Sequence, residues 1–194
     1  MMNEIDANYF TGEWEFDNKI MEAYLTDMEI VSGTHRNNMV YVPKKVGGSA
    51  LFGQTWKGYL TPTRNKTKSK RFKGLFDTKL VDNHPEMIGV FKEFADIYFP
   101  DFEYTQITIN KNFPAPAHTD SSNTGVSYLC CFGDYTGGLT AVDYGGRDRA
   151  NVKKENARLG PVSFDGSKYC HWVEPFEGNR YSLVFYNNIK NCKI

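Results

Sequence analysis

The chain has 194 residues, room for one domain with a substantial core and hardly for two. Basic and acidic residues number 23 each, so no global field draws the protein to nucleic acid or to a membrane surface, and any such argument rests on local charge. The start M-M-N-E-I-D-A-N-Y-F lacks the basic and apolar regions of a signal peptide, and no stretch approaches the roughly 20 apolar residues of a membrane span. These features predict a soluble intracellular protein, cytoplasmic or nuclear, of cellular or viral source. The four cysteines, at 130, 131, 170 and 192, form no C-x-x-C pair, and reduced, mostly buried thiols are expected.

Residues 1–30 hold eight acids and one lysine, and 20–25 (I-M-E-A-Y-L) is predicted as a short helix packed against the main sheet. Residues 31–75, rich in Gly, Pro, Thr and Lys, read as loops and a few short strands. Within them, 57–73 carries seven basic residues and no acid. In 84–99, Met87, Ile88, Val90, Phe91, Phe94, Ala95 and Tyr98 recur at helical spacing, which predicts an amphipathic helix ending before Pro100.

From Phe102 onward the pattern changes to short β runs separated by turn residues: 104–110, 125–132, 138–144, 160–164 and 181–186. Short strands at that spacing after one helix indicate a mainly β fold with flanking helices, an antiparallel sandwich or jelly roll. A single domain over 1–194 is expected, with helices and substrate loops in 1–100 and the jelly-roll core in 101–190.

The chemistry-bearing residues lie in the second half. In F-P-A-P-A-H-T-D, His118 and Asp120 alternate with Thr119, so an extended chain projects them to one side about 6.6 Å apart, a reach that suits one metal. His171 follows 51 residues after Asp120, a separation that suits the strand-to-strand return of a jelly roll. Two imidazoles and one carboxylate leave one face of an octahedral iron(II) open for other ligands. By itself H-x-D also fits histidines that satisfy structural hydrogen bonds. Arg180 and Ser182, nine and eleven residues after His171 in G-N-R-Y-S-L-V-F-Y, add a second element: a guanidinium fork and a hydroxyl on one face of a strand, suited to a carboxylate.

In order, H-T-D, Y-T-G-G-L, V-S-F-D-G-S-K-Y-C-H-W and G-N-R-Y-S-L-V-F-Y resemble the motifs of the iron(II)- and 2-oxoglutarate-dependent dioxygenases over about residues 100–188. The resemblance implies a double-stranded β-helix of the jelly-roll or cupin-like kind. It further implies iron(II) on His118, Asp120 and His171, 2-oxoglutarate on Arg180 with Ser182 assisting, and O2 as the third reactant. H-x-D-x-x-N, which adds Asn123, and the ending R-Y-S-L-V-F-Y look most like the branch of the TET and JBP nucleobase oxygenases and their viral relatives. That likeness implies a contact of Asn123 with the target base and hydroxylation of a methyl group of 5-methylcytosine or thymine. The chain departs from the animal enzymes of that branch in its shortness and in lacking a cysteine-rich zinc module.

Asn110 shares a strand face with Gln106 and Thr108 and could bind the 2-oxo acid end of the co-substrate, or cap the strand beside the turn that follows. Tyr128 could line the co-substrate pocket or fill the core. In 57–73 the cations, among them Arg64, Lys70 and Arg71, stand with Tyr59 and Phe72, and Trp56 comes just before; cations beside rings neutralise phosphates and stack on bases. The same segment also fits a solvated loop. DNA is thus the expected partner, with no obligate protein partner, no membrane, and a monomeric state. Two alternatives stand beside the nucleobase reading: hydroxylation of a protein side chain or small metabolite, and a non-catalytic jelly-roll binding module.

Overall fold

The computed structural model describes residues 8–28, 30, 47–59, 72–145 and 149–188, with the backbone alone described at 56–59 and 72–73. Three helices, α1 (Trp14–Asp27), α2 (Lys79–Asn83) and α3 (Met87–Tyr98), pack against a β architecture. Helix α1 is longer than the expected 20–25 because its buried stripe runs Asp17, Met21, Leu25, one residue per turn, and begins with a carboxylate. The helix expected over 84–99 is α3, which starts at Met87, after Pro85; before it, the His84 N–H closes the short α2 on the Leu80 carbonyl. Met87, Val90, Phe91, Phe94 and Ala95 form the buried face of α3, whereas Ile88 lies outside it, 52% exposed. Among the described residues no helix is long and apolar enough to cross a membrane.

The strands are β1 (Gly48–Tyr59), β2 (Phe72–Asp77), β3 (Gln106–Lys111), β4 (Asn123–Phe132), β5 (Tyr135–Gly137), β6 (Thr140–Asp143), β7 (Val152–Glu155), β8 (Val162–Phe164), β9 (Cys170–Val173), β10 (Phe176–Gly178) and β11 (Tyr181–Asn188). Six form one sheet in the order β2-β1-β3-β11-β4-β8; β7-β6-β9 and the pair β10-β5 form the smaller sheets, and every pairing is antiparallel. This is a mainly β jelly roll with flanking helices. The sheet reaches back before residue 100, because β1 and β2 extend its edge. Gly53 makes that possible: at φ +111° it marks where β1 leaves β3 and joins β2, and a Cβ there would sit 3.2 Å from the Thr105 carbonyl.

Alternation along the strands divides the six-stranded sheet into two faces. Phe52, Ile107, Ile109, Cys130, Phe132, Leu183 and Phe185 point towards the helices and join Met21, Leu25, Phe91 and Phe94 in the main core. Aromatic rings fill the seam, with Phe52 edge-on to Phe91 at 4.9 Å and Phe99 edge-on to Phe185 at 4.9 Å. The opposite face carries Asn110, Ser127, Leu129, Ser182 and Val184, and it looks into a cavity of about 420 Å³ whose far wall includes Thr140, His171 and Val173.

Candidate metal centre and carboxylate pocket

The connection between β3 and β4 is laid along β9 by paired backbone bonds: the His118 N–H donates to the His171 carbonyl at 3.0 Å, and the His171 N–H returns the bond at 2.9 Å. A further bond from the Asp120 N–H to the Gly166 carbonyl, 2.8 Å, fixes the next residue. Residues 53 apart in sequence are thereby placed side by side. His118 Nε2 lies 3.6 Å from Asp120 Oδ1, and His171 Nε2 lies 3.6 Å from Asp120 Oδ2. One ligand atom from each residue falls within 4.8 Å of the others.

Each imidazole is oriented from behind. His118 Nδ1 lies 2.7 Å from the Pro116 carbonyl, and His171 Nδ1 lies 3.0 Å from the Tyr169 carbonyl. A carbonyl only accepts, so each Nδ1 carries a proton, and each Nε2 is turned towards Asp120. This is how metal-binding histidines are commonly held. Burial lowers the His171 pKa, with His118 acting in the same direction and the Tyr169 bond and Asp120 opposing, so the neutral, ligating form is favoured. Separations of 3.6 Å exceed a hydrogen bond, and the set of two imidazoles and a carboxylate fits a divalent ion. Asn123 Nδ2 donates to Asp120 Oδ2 at 3.2 Å. Gly166 keeps the space tight, since a Cβ there would approach His171 Cε1 to 3.2 Å and Asp120 Oδ2 to 3.4 Å.

Arg180 stands one residue before β11 and is 1% exposed. Its guanidinium lies 5.6 Å from the centres of both the Tyr135 and the Phe176 rings and donates to Cys131 Sγ at 3.1 Å. Among the described residues no carboxylate pairs with it, and its Nε has no partner. A buried cation without an acidic partner, on a residue that lines a cavity, fits an anionic ligand. The cavity is the one that the metal-type cluster lines, and Ser182 and Asn110 line it as well, with Asn110 Nδ2 donating to Ser182 Oγ at 3.1 Å.

His118, Asp120, His171, Arg180, Ser182, Asn110 and Asn123 therefore share one cavity. Tyr128 does not line it: the strand alternation turns its ring to the helix side, stacked on Phe99 at 4.8 Å and against Phe102 at 4.8 Å. That expectation is corrected, and Ser127, one residue earlier, faces the cavity instead. Cys130 and Cys131 occupy opposite faces, in the main core and the smaller cluster beside the pocket. Arg64, Lys70 and Arg71 lie outside the described residues, as do His35 and Cys192, and of Trp56 the backbone in β1 alone is described.

Two lining residues escaped the sequence reading. Ser127 and Thr140 line the cavity, and their hydroxyls are buried without a hydrogen-bond partner. The signal was present in the alternation: Ser127 shares a face with Leu129 and Cys131, and Thr140 opens the apolar strand T-A-V-D on the side of Val142.

No family model matches the chain, and no curated protein matches it. Among solved structures it is similar to an oxidoreductase of the 2OG-Fe(II) oxygenase family from Burkholderia pseudomallei, at 15% identity and a TM-score of 0.48, over 88% of this chain and 77% of that one. It is also similar to a prolyl-4-hydroxylase from Pseudomonas putida, at 13% identity and a TM-score of 0.49, over 94% and 90% of the two chains. A third similar structure is NgTET1 in complex with 5mC DNA, at 16% identity and a TM-score of 0.46, where the match covers 73% of this chain and 61% of that one.

Proposed function

We propose that the protein is an iron(II)- and 2-oxoglutarate-dependent dioxygenase that hydroxylates a C–H bond, and that its target is a nucleobase methyl group, of 5-methylcytosine or thymine, in DNA. The observation that carries the oxygenase reading is one cavity holding both a two-histidine, one-carboxylate cluster and a buried arginine without an acidic partner. His118, Asp120 and His171 would hold iron(II); Arg180, with Ser182 and Asn110 beside it, would hold 2-oxoglutarate. Bound there, iron(II) supplies with O2 and 2-oxoglutarate the oxidising chemistry that no side chain provides, giving succinate, carbon dioxide and a hydroxylated product.

The chain's own residues bind and orient. The Pro116 and Tyr169 carbonyls hold each Nδ1, so that both Nε2 atoms are turned towards Asp120, and Asn123 steadies Asp120. Arg180 would neutralise a dicarboxylate beside the apolar side chains of Leu129, Phe164, Val173 and Val184, which line the same cavity.

The nucleobase reading is supported by the resemblance of H-x-D-x-x-N and by the cationic, aromatic segment 57–73, whose phosphate contacts could offset the few kcal/mol needed to flip a base. It is also supported by charge: apart from the three cluster residues and Arg180, the described lining is uncharged, which suits a base and disfavours a charged metabolite. An uncharged protein side chain suits it equally, and this is the second reading.

The test is succinate release with iron and 2-oxoglutarate, with and without methylated DNA, followed by mass spectrometry of the nucleosides. Release stimulated by DNA with an oxidised base as product is expected, and Asp120→Ala should abolish it by removing the ligand carboxylate. Full succinate formation by Asp120→Ala would defeat the metal assignment, whereas stimulation by peptides instead of DNA would replace the nucleobase reading with the second one.

A further inference from the structure

We propose that Asp165 is a positioning residue of the metal centre: it pins the turn whose carbonyls hold two of the three cluster residues, an inference that rests on the metal assignment in the oxygenase reading above. The turn is 165–169 (D-G-S-K-Y), which joins β8 to β9 and lies outside both strands. Asp165 ties it from within. Its Oδ1 accepts from the Ser167 N–H at 3.1 Å and from the Ser167 hydroxyl at 2.6 Å, and its Oδ2 lies 2.9 Å from Lys168 Nζ. Its backbone carbonyl accepts from the Lys168 N–H at 3.1 Å and from the Tyr169 N–H at 3.0 Å. A short carboxylate side chain that accepts from the backbone two residues on is a common way of fixing a turn.

The turn so fixed holds the cluster from outside. The Gly166 carbonyl accepts from the Asp120 N–H at 2.8 Å, and the Tyr169 carbonyl lies 3.0 Å from His171 Nδ1. Gly166 also lies against both side chains, since a Cβ there would come 3.2 Å from His171 Cε1 and 3.4 Å from Asp120 Oδ2. His118 takes its orientation from Pro116, outside the turn. A shift of the turn therefore moves Asp120 and His171 relative to His118 and spoils the arrangement that suits one ion. Asp165 is not a member of that cluster, so it acts through Gly166 and Tyr169. The Lys168 side chain is 71% exposed, and an ion pair with it is worth little, which leaves the Ser167 bonds as the main tie.

The test titrates cobalt(II) into metal-free protein, well below the melting temperature of each variant, and follows the visible absorption, which reports both affinity and ligand geometry. Asp165→Ala should weaken cobalt binding about ten- to a hundredfold, the usual cost of losing a group behind the ligands, and should change the spectrum at saturation. Asp165→Asn keeps an oxygen for the Ser167 N–H and hydroxyl and loses only the charge. It should bind within about threefold of wild type, with the wild-type spectrum.

Wild-type affinity in Asp165→Ala would overturn the inference, whatever the melting temperature, and would leave the metal assignment in place. Equal losses in Asp165→Ala and Asp165→Asn would overturn it too, because charge and not the turn would then be acting. If Asp165→Ala does not fold, Ser167→Ala removes the hydroxyl bond alone and carries the same test: several-fold weaker cobalt binding is expected, and wild-type affinity would overturn the inference. Failure of the wild type itself to bind cobalt would overturn both this inference and the metal assignment.

Discussion

Arg180, the proposed co-substrate anchor, shows how much of a side chain's position is set by a neighbour outside its own strand. It lies one step outside the ladder of β11, and Asn112 replaces that ladder: the Asn112 N–H donates to the Arg180 carbonyl at 2.7 Å, and Asn112 Oδ1 accepts from the Arg180 N–H at 2.7 Å. Asn112 does this from a left-handed backbone, φ +47°, a conformation that asparagine tolerates better than most residues. Asn112→Ala should therefore cost about 1–3 kcal/mol, from the lost bond and the strain together, and should weaken 2-oxoglutarate binding by loosening the anchor. Asn112→Gly should recover the strain and leave the bond missing. Urea denaturation of both variants checks this, and an Asn112→Ala protein as stable as wild type would show that the clamp contributes nothing. The turn at Asn112-Phe113-Pro114 was legible in the sequence, and so were H-x-D and R-x-S. The partner of Asn112, 68 residues away, was not, because nothing local encodes it.

Between elements, the joint of α1 with α3 is a carboxylate. Asp17 is buried and accepts from the Thr11 N–H, the Thr11 hydroxyl and the Gly12 N–H, each at 2.8 Å, and from the Tyr98 hydroxyl at 2.7 Å. Burial pushes its pKa up, but the bonds from Thr11, Tyr98 and Gly12 prevail and hold it below the usual value. A depressed folded pKa means that this stability is present above the unfolded value of about 3.9 and is lost as pH falls through the folded one. Asp17→Asn would set an amide N–H against a donor and should cost about 1–3 kcal/mol at neutral pH. Melting curves of the two proteins should converge below about pH 4, and a gap that stays constant into acid would show that the ionised form is not what stabilises. Element by element, strands with apolar alternation, β3, β4 and β11, were readable. So was the buried face of α3. β1 was hidden by its glycines and by its change of partner at Gly53, and β9 by its four-residue length. The start of α1 was hidden because an aspartate occupies a core position.

At the scale of the molecule, the site joins parts that belong to different sheets and to a connection between strands. His118 and Asp120 belong to the connection between β3 and β4, and His171 belongs to the three-stranded sheet, so a metal held by all three would add to the backbone bonds that tie that connection to β9. Arg180 approaches from the end of β11 in the larger sheet. A ligand that binds the folded state alone stabilises it by mass action, about 2.7 kcal/mol at a hundredfold excess over its dissociation constant.

Manganese(II) alone should therefore raise the melting temperature, and a chelator should reverse the shift. On the proposed function, 2-oxoglutarate alone would meet one anchor, Arg180, and should shift it little. Together they should stabilise by more than the sum of the separate shifts, because the metal supplies the second anchor for the same molecule. Asp120→Ala should lose the manganese shift and the synergy while keeping the fold, since Asp120 is partly exposed and its loss opens no cavity in the core. Strictly additive shifts in the wild-type protein would mean that metal and dicarboxylate bind apart, and the shared cavity would then need another occupant.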